Sequence, residues 1–227
     1  MSIVIVVYKR NYAYSALMSI KCMMIVMVRG DSKERMVVAA RRLFRERGYH
    51  GTSLSDVVSE SAAPRGSLYF NFPGGKEELA TEVALLHASD AIANVNRAAG
   101  ATATAAELIE AFMRRFRDDV VAKDFREGCA VAPIVLDAAS SSTQLGDVVR
   151  RTFADVVGVL AARLADKGVP ESSARALAVN AVTTMEGALV LSRALRTTEP
   201  FDVAIVELAR SVDAALAPPT DRQGPTR

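Results

Sequence analysis

Residues 51–79 read GTSLSDVVSESAAPRGSLYFNFPGGKEEL. Thr52 or Ser53 can cap a short helix whose apolar residues Leu54, Val57 and Val58 share one face. Ser61, Ala62 and Ala63 are small enough for a tight turn. Pro64 suits the first position of a following helix, where its missing N–H leaves no bond unmade. That second helix carries Leu68, Tyr69 and Phe72 and is expected to stop near Pro73, Gly74 and Gly75, with Lys76 opening the next one. Two short helices held at a steep angle by a turn of about three residues form a helix-turn-helix, whose second helix can enter the major groove of DNA.

The flanking sequence agrees with that reading. The chain has 227 residues and a net charge of only +2, but the basic residues cluster. Between Lys33 and Lys76 stand eight of them (Lys33, Arg35, Arg41, Arg42, Arg45, Arg47, Arg65, Lys76), against four acidic ones (Glu34, Glu46, Asp56, Glu60), a local excess of +4. Such an excess fits a phosphate-facing surface. Arg41, Arg42, Arg45 and Arg47 read as a solvated helix face with at most one DNA contact.

Helical periodicity runs through nearly everything after residue 31, and no convincing strand or repeat appears. Val37, Val38, Ala40, Leu43 and Phe44 mark a helix over 32–47, ended by Gly48. Beyond Lys76 a helix runs toward residue 98, followed by a loop over 99–104. Further helices are expected around 105–118, over 145–167, 171–196 and 201–216, with a short apolar segment over 129–139. The fold class is therefore all-α: a helix-turn-helix unit over 31–79, a larger helical domain over 80–217, and a disordered Pro/Gly tail over 218–227. Residues 1–30 read as an N-terminal extension, either foreign to the native chain or disordered. Lys9, Arg10 and Lys21 interrupt its apolar runs, so neither a secretory signal nor a membrane span is expected.

Chemistry other than binding is poorly provided for. Cys22 and Cys129 lack metal spacing, and His50 and His87 are the two histidines. No metal or cofactor site is expected, and no nucleophile–base pair or phosphate loop points to an enzyme. Cys129 reads as a small buried hydrophobe in a reducing cytoplasm.

At the helix-turn-helix the chemistry is specific. Arg65 has the reach to pair with guanine O6 and N7, and Ser67 can donate or accept beside it. Gly66 lets the backbone approach closely. Tyr69 and Asn71 have groups that anchor phosphates, and Lys76 at a helix N-terminus can do the same. Thr52, Ser53 and Phe70 complete the expected DNA-facing set, whereas Phe72 falls on the packing face.

The ordered set Phe44, Gly48, Tyr49, Gly51, Thr52, Gly66, Ser67, Leu68, Tyr69, Phe72, Pro73, Lys76, Glu77, Glu78 and Leu79 resembles the N-terminal domain of the TetR family of transcriptional regulators. The stretch Pro73, Gly74, Gly75, Lys76, the segment from Gly128 and Cys129 to Leu136 and Asp137, and Glu186, Gly187, Ala188 resemble its LmrA/YxaF-like branch. Ala62 and Pro64 stand where the family often has Gly and a capping Ser or Thr, and Phe70 and Asn71 stand where it often has His or Tyr. No operator sequence can be carried over.

The resemblance implies an all-helical, cytoplasmic homodimer that binds double-stranded operator DNA as a repressor and is released by a small hydrophobic effector. By the same likeness, helices 145–167 and 171–196 would form the dimer interface, with Ala178, Ala181, Gly187 and Ala188 permitting close helix approach. The effector pocket would be lined by Phe112, Met113, Phe116, Phe125, Val131, Ile134, Met185 and Leu189, with Asn180 and Thr184 as polar anchors. An effector-independent DNA-binding protein is the alternative; a filled core without a cavity would favour it.

Overall fold

The computed structural model describes residues 32–217 and is all-helical over that span. The expected extension and tail, with Cys22, lie outside the described residues. Helix α1 covers residues 32–47. It buries Met36, Ala40, Leu43 and Phe44 and ends at Gly48, whose φ of +81° takes a left-handed turn and whose N–H reaches the Phe44 carbonyl at 3.0 Å. Helix α2 is Leu54–Ser61. Ser53 caps it in a reciprocal box with Asp56, the N–H of Asp56 donating to Ser53 Oγ at 3.1 Å and the N–H of Ser53 to Asp56 Oδ2 at 2.8 Å. Ala62 closes α2 in the left-handed region, φ +49°.

The second helix of the motif differs from expectation. Pro64 has ψ near 133°, so it precedes the helix as an extended residue instead of occupying its first turn. A tight 3-10 turn over Arg65–Ser67 then runs into α3, Leu68–Asn71. Leu68 and Phe72 pin this short element to the core, with Phe72 fully buried.

Helix α4, Gly75–Ala101, is a long strut that begins in the reading unit and ends deep in the larger domain. It overruns the loop expected at 99–104 by one turn, because Ala98, Ala99 and Ala101 are good helix formers and Gly100 alone does not stop a long helix. Thr104 and Glu107 then box the start of α5, Ala105–Ala122. A loop through Gly128 leads to α6, Ala132–Asp137, then α7, Thr143–Ala165, α8, Glu171–Leu195, and α9, Glu199–Leu216. Helix α7 packs on α4 and α8, while α9 packs on α8 and α5.

Helix α8 is long and apolar enough to cross a membrane by length and composition. Here it is a core helix, with Ala174, Leu177, Ala178, Ala181, Val182, Met185, Ala188 and Leu189 buried. Ala178, Ala181 and Ala188 thus pack inside the protomer, and among the small residues expected at a dimer seam Gly187 alone is exposed. The helices expected at the interface differ in what they expose. Helix α7 carries no large exposed apolar side chain, whereas α8 exposes Val179, Val190, Leu191 and Leu195 and α9 exposes Val203, Val206 and Leu216.

Candidate functional site

The turn between α2 and α3 is built by small residues. Ser61 Oγ accepts from the Ala63 N–H at 3.3 Å, and both the N–H and the hydroxyl of Ser67 donate to the Pro64 carbonyl, at 2.9 and 2.6 Å. With Leu68 and Phe72 facing inward, the outward face comprises Arg65, Gly66, Tyr69 and Phe70, flanked by the half-buried Ser67 and Asn71. Tyr69 is 69% exposed and Phe70 56%, far beyond what packing aromatics show. A Cβ placed on Gly66 would meet nothing within 4 Å, so this glycine is not needed for packing.

The charge cluster resolves into two kinds of residue. Most of the basic excess is engaged within the protein. Lys33 pairs with Glu82 on α4, and Arg41 with Asp90 at 2.5 Å. Arg42 meets Glu46 at 3.3 Å and Glu60 at 2.6 Å. Arg45 pairs with Asp119 on α5 and, at 3.1 Å, with Glu127. Of the expected solvated arginine face, Arg41 and Arg45 therefore tie α1 to the larger domain, Arg42 pairs within the first unit and Arg47 stays exposed. Arg65 forms no hydrogen bond or ion pair with any described residue and stands free at the start of the second helix.

Two members of the expected DNA-facing set make contacts within the protein. Thr52 is fully buried and its hydroxyl donates to the Gly48 carbonyl at 2.9 Å, so it holds the α1–α2 turn. Lys76 lies over the Tyr49 ring, its Nζ 4.3 Å from the centroid. Burial pulls its pKa down, opposed by the nearby carboxylate of Asp137. Burial in turn raises the pKa of the Tyr49 phenol, helped by Glu77. The Gly74 N–H at the start of α4 already donates to Glu78 Oε2 at 2.8 Å. Ser53 is exposed, but its hydroxyl serves the α2 cap.

Lys76 belongs to a junction that sequence spacing did not reveal. Asp137, the last residue of α6, accepts from the His50 N–H through Oδ2 at 3.0 Å, and its carbonyl lies 2.9 Å from His50 Nε2. The Ser142 hydroxyl at the start of α7 donates to Glu77 on α4 at 2.9 Å. Together these contacts bind the end of α1 and the start of α4 to α6 and α7.

In the larger domain the expected pocket residues separate. Met113, Val131, Ile134 and Met185 are plain core, and Phe125 lies half-buried beneath Arg196. Asn180 and Thr184 hydrogen bond to each other at 3.2 Å on the outer side of α8. Phe112 and Phe116, edge to face at 5.2 Å, line a chamber of about 230 Å³ between α4 and α5. Its other walls are Ala91, Asn94, Arg97, Ala98, Ala101, Ala111 and Arg115. An inner cavity of about 60 Å³ adjoins it, sharing Ala91, Asn94, Arg115 and Phe116 and reaching Arg41, Arg45, His87, Asp90, Asp119, Gly128, Cys129 and Leu189. The chamber thus takes in Phe112 and Phe116 of the expected set but opens toward α4. Its signal was the small residues Ala91, Ala98 and Ala101 on one side of α4, which leave a gap opposite the phenylalanines.

Comparison with known proteins gives a consistent result. Residues 37–83 match the family described as bacterial regulatory proteins, tetR family, and residues 105–207 match the C-terminal domain of LmrA/YxaF-like transcriptional regulators. An HTH-type transcriptional regulator of Mycobacterium tuberculosis is 36% identical over 189 residues, covering 81% of this chain and 95% of the relative. The HTH-type regulator LmrA of Bacillus subtilis is 31% identical over 172 residues, covering 76% of this chain and 92% of its own. Among solved structures, a cysteine mutant of the regulator CifR bound to 26-base-pair operator DNA has the same fold, with a TM-score of 0.64 at 19% identity, covering 80% of this chain and 95% of the other.

Proposed function

This chain belongs to the TetR family of transcriptional regulators, DNA-binding proteins and not enzymes, and from that premise we propose that it is a cytoplasmic repressor released from its operator by a small effector. The observation that carries the reading is the guanidinium of Arg65, which pairs with no described residue, on an outward face with Gly66, Tyr69 and Phe70, whereas Arg41, Arg42 and Arg45 of α1 each pair with a carboxylate. In this reading residues 31–79 bind DNA. Arg65 and Ser67 read base edges, and Tyr69, Phe70, Asn71 and the exposed Ser53 contact the backbone. Thr52 and Lys76 shape the head from within.

Residues 80–217 hold the effector and the dimer seam. The apolar side chains exposed on α8 and α9 support an isologous interface between copies of those two helices. Dimerisation would set two reading heads about 34–36 Å apart, one turn of DNA. The chamber between α4 and α5 supports a ligand-responsive protein over an effector-independent one. An effector acts by favouring a dimer whose heads are mis-spaced for successive grooves.

Selection of genomic fragments by the purified protein tests the proposal. A recovered inverted repeat with half-sites one helical turn apart, bound by wild type and lost in Arg65→Ala, is the expected result. Fragments enriched without any common sequence would overturn it.

A further inference from the structure

The α4–α5 chamber has a chemistry of its own. Four alanines and the crossed rings of Phe112 and Phe116 make its body apolar, while its polar wall consists of Asn94, Arg97 and Arg115; the nearest carboxylates, Asp90 and Asp119, line the inner cavity. Arg97 donates to the neutral Asn94 Oδ1 at 2.8 Å and makes no ion pair with a described residue. Arg115 has Asp119 as its acidic neighbour, but at 3.7 Å, and Asp119 is already the partner of Arg45. An apolar slot rimmed by two exposed guanidiniums, Arg97 without an ion-pair partner among the described residues and Arg115 sharing its partner, favours an anion over a neutral or cationic guest.

We infer that this chamber is the effector site and that it takes a small aromatic carboxylate, its ring against Phe112 and Phe116 and its carboxylate on Arg97 and Arg115. The inference deepens the ligand-responsive reading above and rests on it. The volume of about 230 Å³ lies below the roughly 300–1,000 Å³ of pockets for drug-sized ligands, which fits a one- or two-ring acid. The position also connects the ligand to the reading head. A carboxylate on Arg115 competes with Asp119 for that guanidinium, and Asp119 is the side chain that holds Arg45 of α1.

Calorimetric titration of the full chain with 1-naphthoate, 1-naphthamide and 1-naphthylmethylammonium tests this directly, without DNA. Naphthoate is expected to bind, the amide at least about tenfold more weakly, and the ammonium not at all. The double variant Arg97→Gln, Arg115→Gln should lose at least about tenfold for naphthoate while leaving the amide unchanged. Filling the chamber with Ala111→Leu, or with Ala98→Leu if the first variant melts early, should abolish both. Equal binding of acid and amide, naphthoate affinity indifferent to the arginines, or no naphthoate binding at millimolar concentration would each overturn the inference. Release of operator by a neutral compound would leave the repressor reading intact while this assignment failed.

Discussion

Arg45 and Gly128, 83 residues apart, exchange two hydrogen bonds: Arg45 Nε donates to the Gly128 carbonyl at 2.8 Å, and the Gly128 N–H donates to the Arg45 carbonyl at 2.9 Å. The same guanidinium pairs with Asp119 and Glu127, so one side chain of the DNA-binding unit is held by α5 and by the loop before α6. Removing it leaves the buried Glu127 carboxylate and the Gly128 carbonyl without this partner, and Asp119 with only Arg115 at 3.7 Å. Breaking a fully buried pair costs about 3–5 kcal/mol, and these groups keep some solvent, so Arg45→Ala should lose about 2–3 kcal/mol in urea unfolding. Arg47→Ala, on the exposed side of the same helix, should stay within about 0.5 kcal/mol of wild type. Equal effects of the two would deny the tie.

Gly66 separates DNA contact from folding. Nothing lies within 4 Å of where its Cβ would stand, so Gly66→Ala should leave the melting temperature unchanged or slightly raised. The methyl would stand between the helix backbone and the groove, and operator affinity should fall about tenfold, comparable to the loss of about 1–3 kcal/mol expected for Arg65→Ala. Titration of a labelled operator duplex reads both. A Gly66→Ala protein that binds as wild type would place the α3 backbone away from the bases.

Lys76 makes an opposite prediction. Its spacing after Gly74 and Gly75 marks a phosphate ligand, but the ammonium lies on Tyr49 beside Asp137. Lys76→Ala should therefore lower stability by about 1 kcal/mol while leaving the salt dependence of operator binding unchanged. Flattening of log K against log salt by about one unit would restore Lys76 to the phosphate contacts.

Lys76 also shows where sequence reasoning stops. Helical periodicity, Gly48, Ser53 and the turn residues made the all-α order and the helix-turn-helix legible, because those signals are local. Phe72 was legible as packing for the same reason. Partners chosen across the fold were not: Arg45 with Asp119, His50 with Asp137 and Lys76 with Tyr49 join residues whose meeting depends on how α4 is aimed. The α4–α5 chamber was not legible because large apolar residues at helical spacing mark core as readily as cavity. The informative residues were the alanines of α4, which mark space by lacking side chain.

The dimer reading turns on side chains that a monomer has no reason to expose. Val190 is 66% exposed on α8 and Val206 48% on α9. Asp at either position puts a charge into the proposed seam without touching the protomer core. Val190→Asp should sediment as a folded monomer at micromolar concentration. Its operator affinity should fall about 100-fold or more, since one head alone lacks the effective concentration supplied by the other. A variant that remains a dimer would move the seam elsewhere.

His87 gives the fold a pH dependence of defined sign. Burial first, then the guanidiniums of Arg41 and Arg45, lower its pKa from 6.5 to about 4, with Asp90 opposing. Between those two values the unfolded chain binds a proton that the folded chain refuses. Stability therefore falls as pH drops from about 6.5 toward 4, and levels off below, where both states are protonated. The effect amounts to at most about 3 kcal/mol across that window. Carboxylates held low in the folded state, such as Asp202 beside Arg117, also lose stability in acid, but as the pH falls through their own lowered values. Unfolding midpoints in urea at pH 7 and pH 5 separate the two sources. His87→Gln removes the titrating group, so the wild-type midpoint should drop between those pH values by clearly more than that of the variant. Parallel behaviour of the two proteins would mean that His87 is solvated in the folded state.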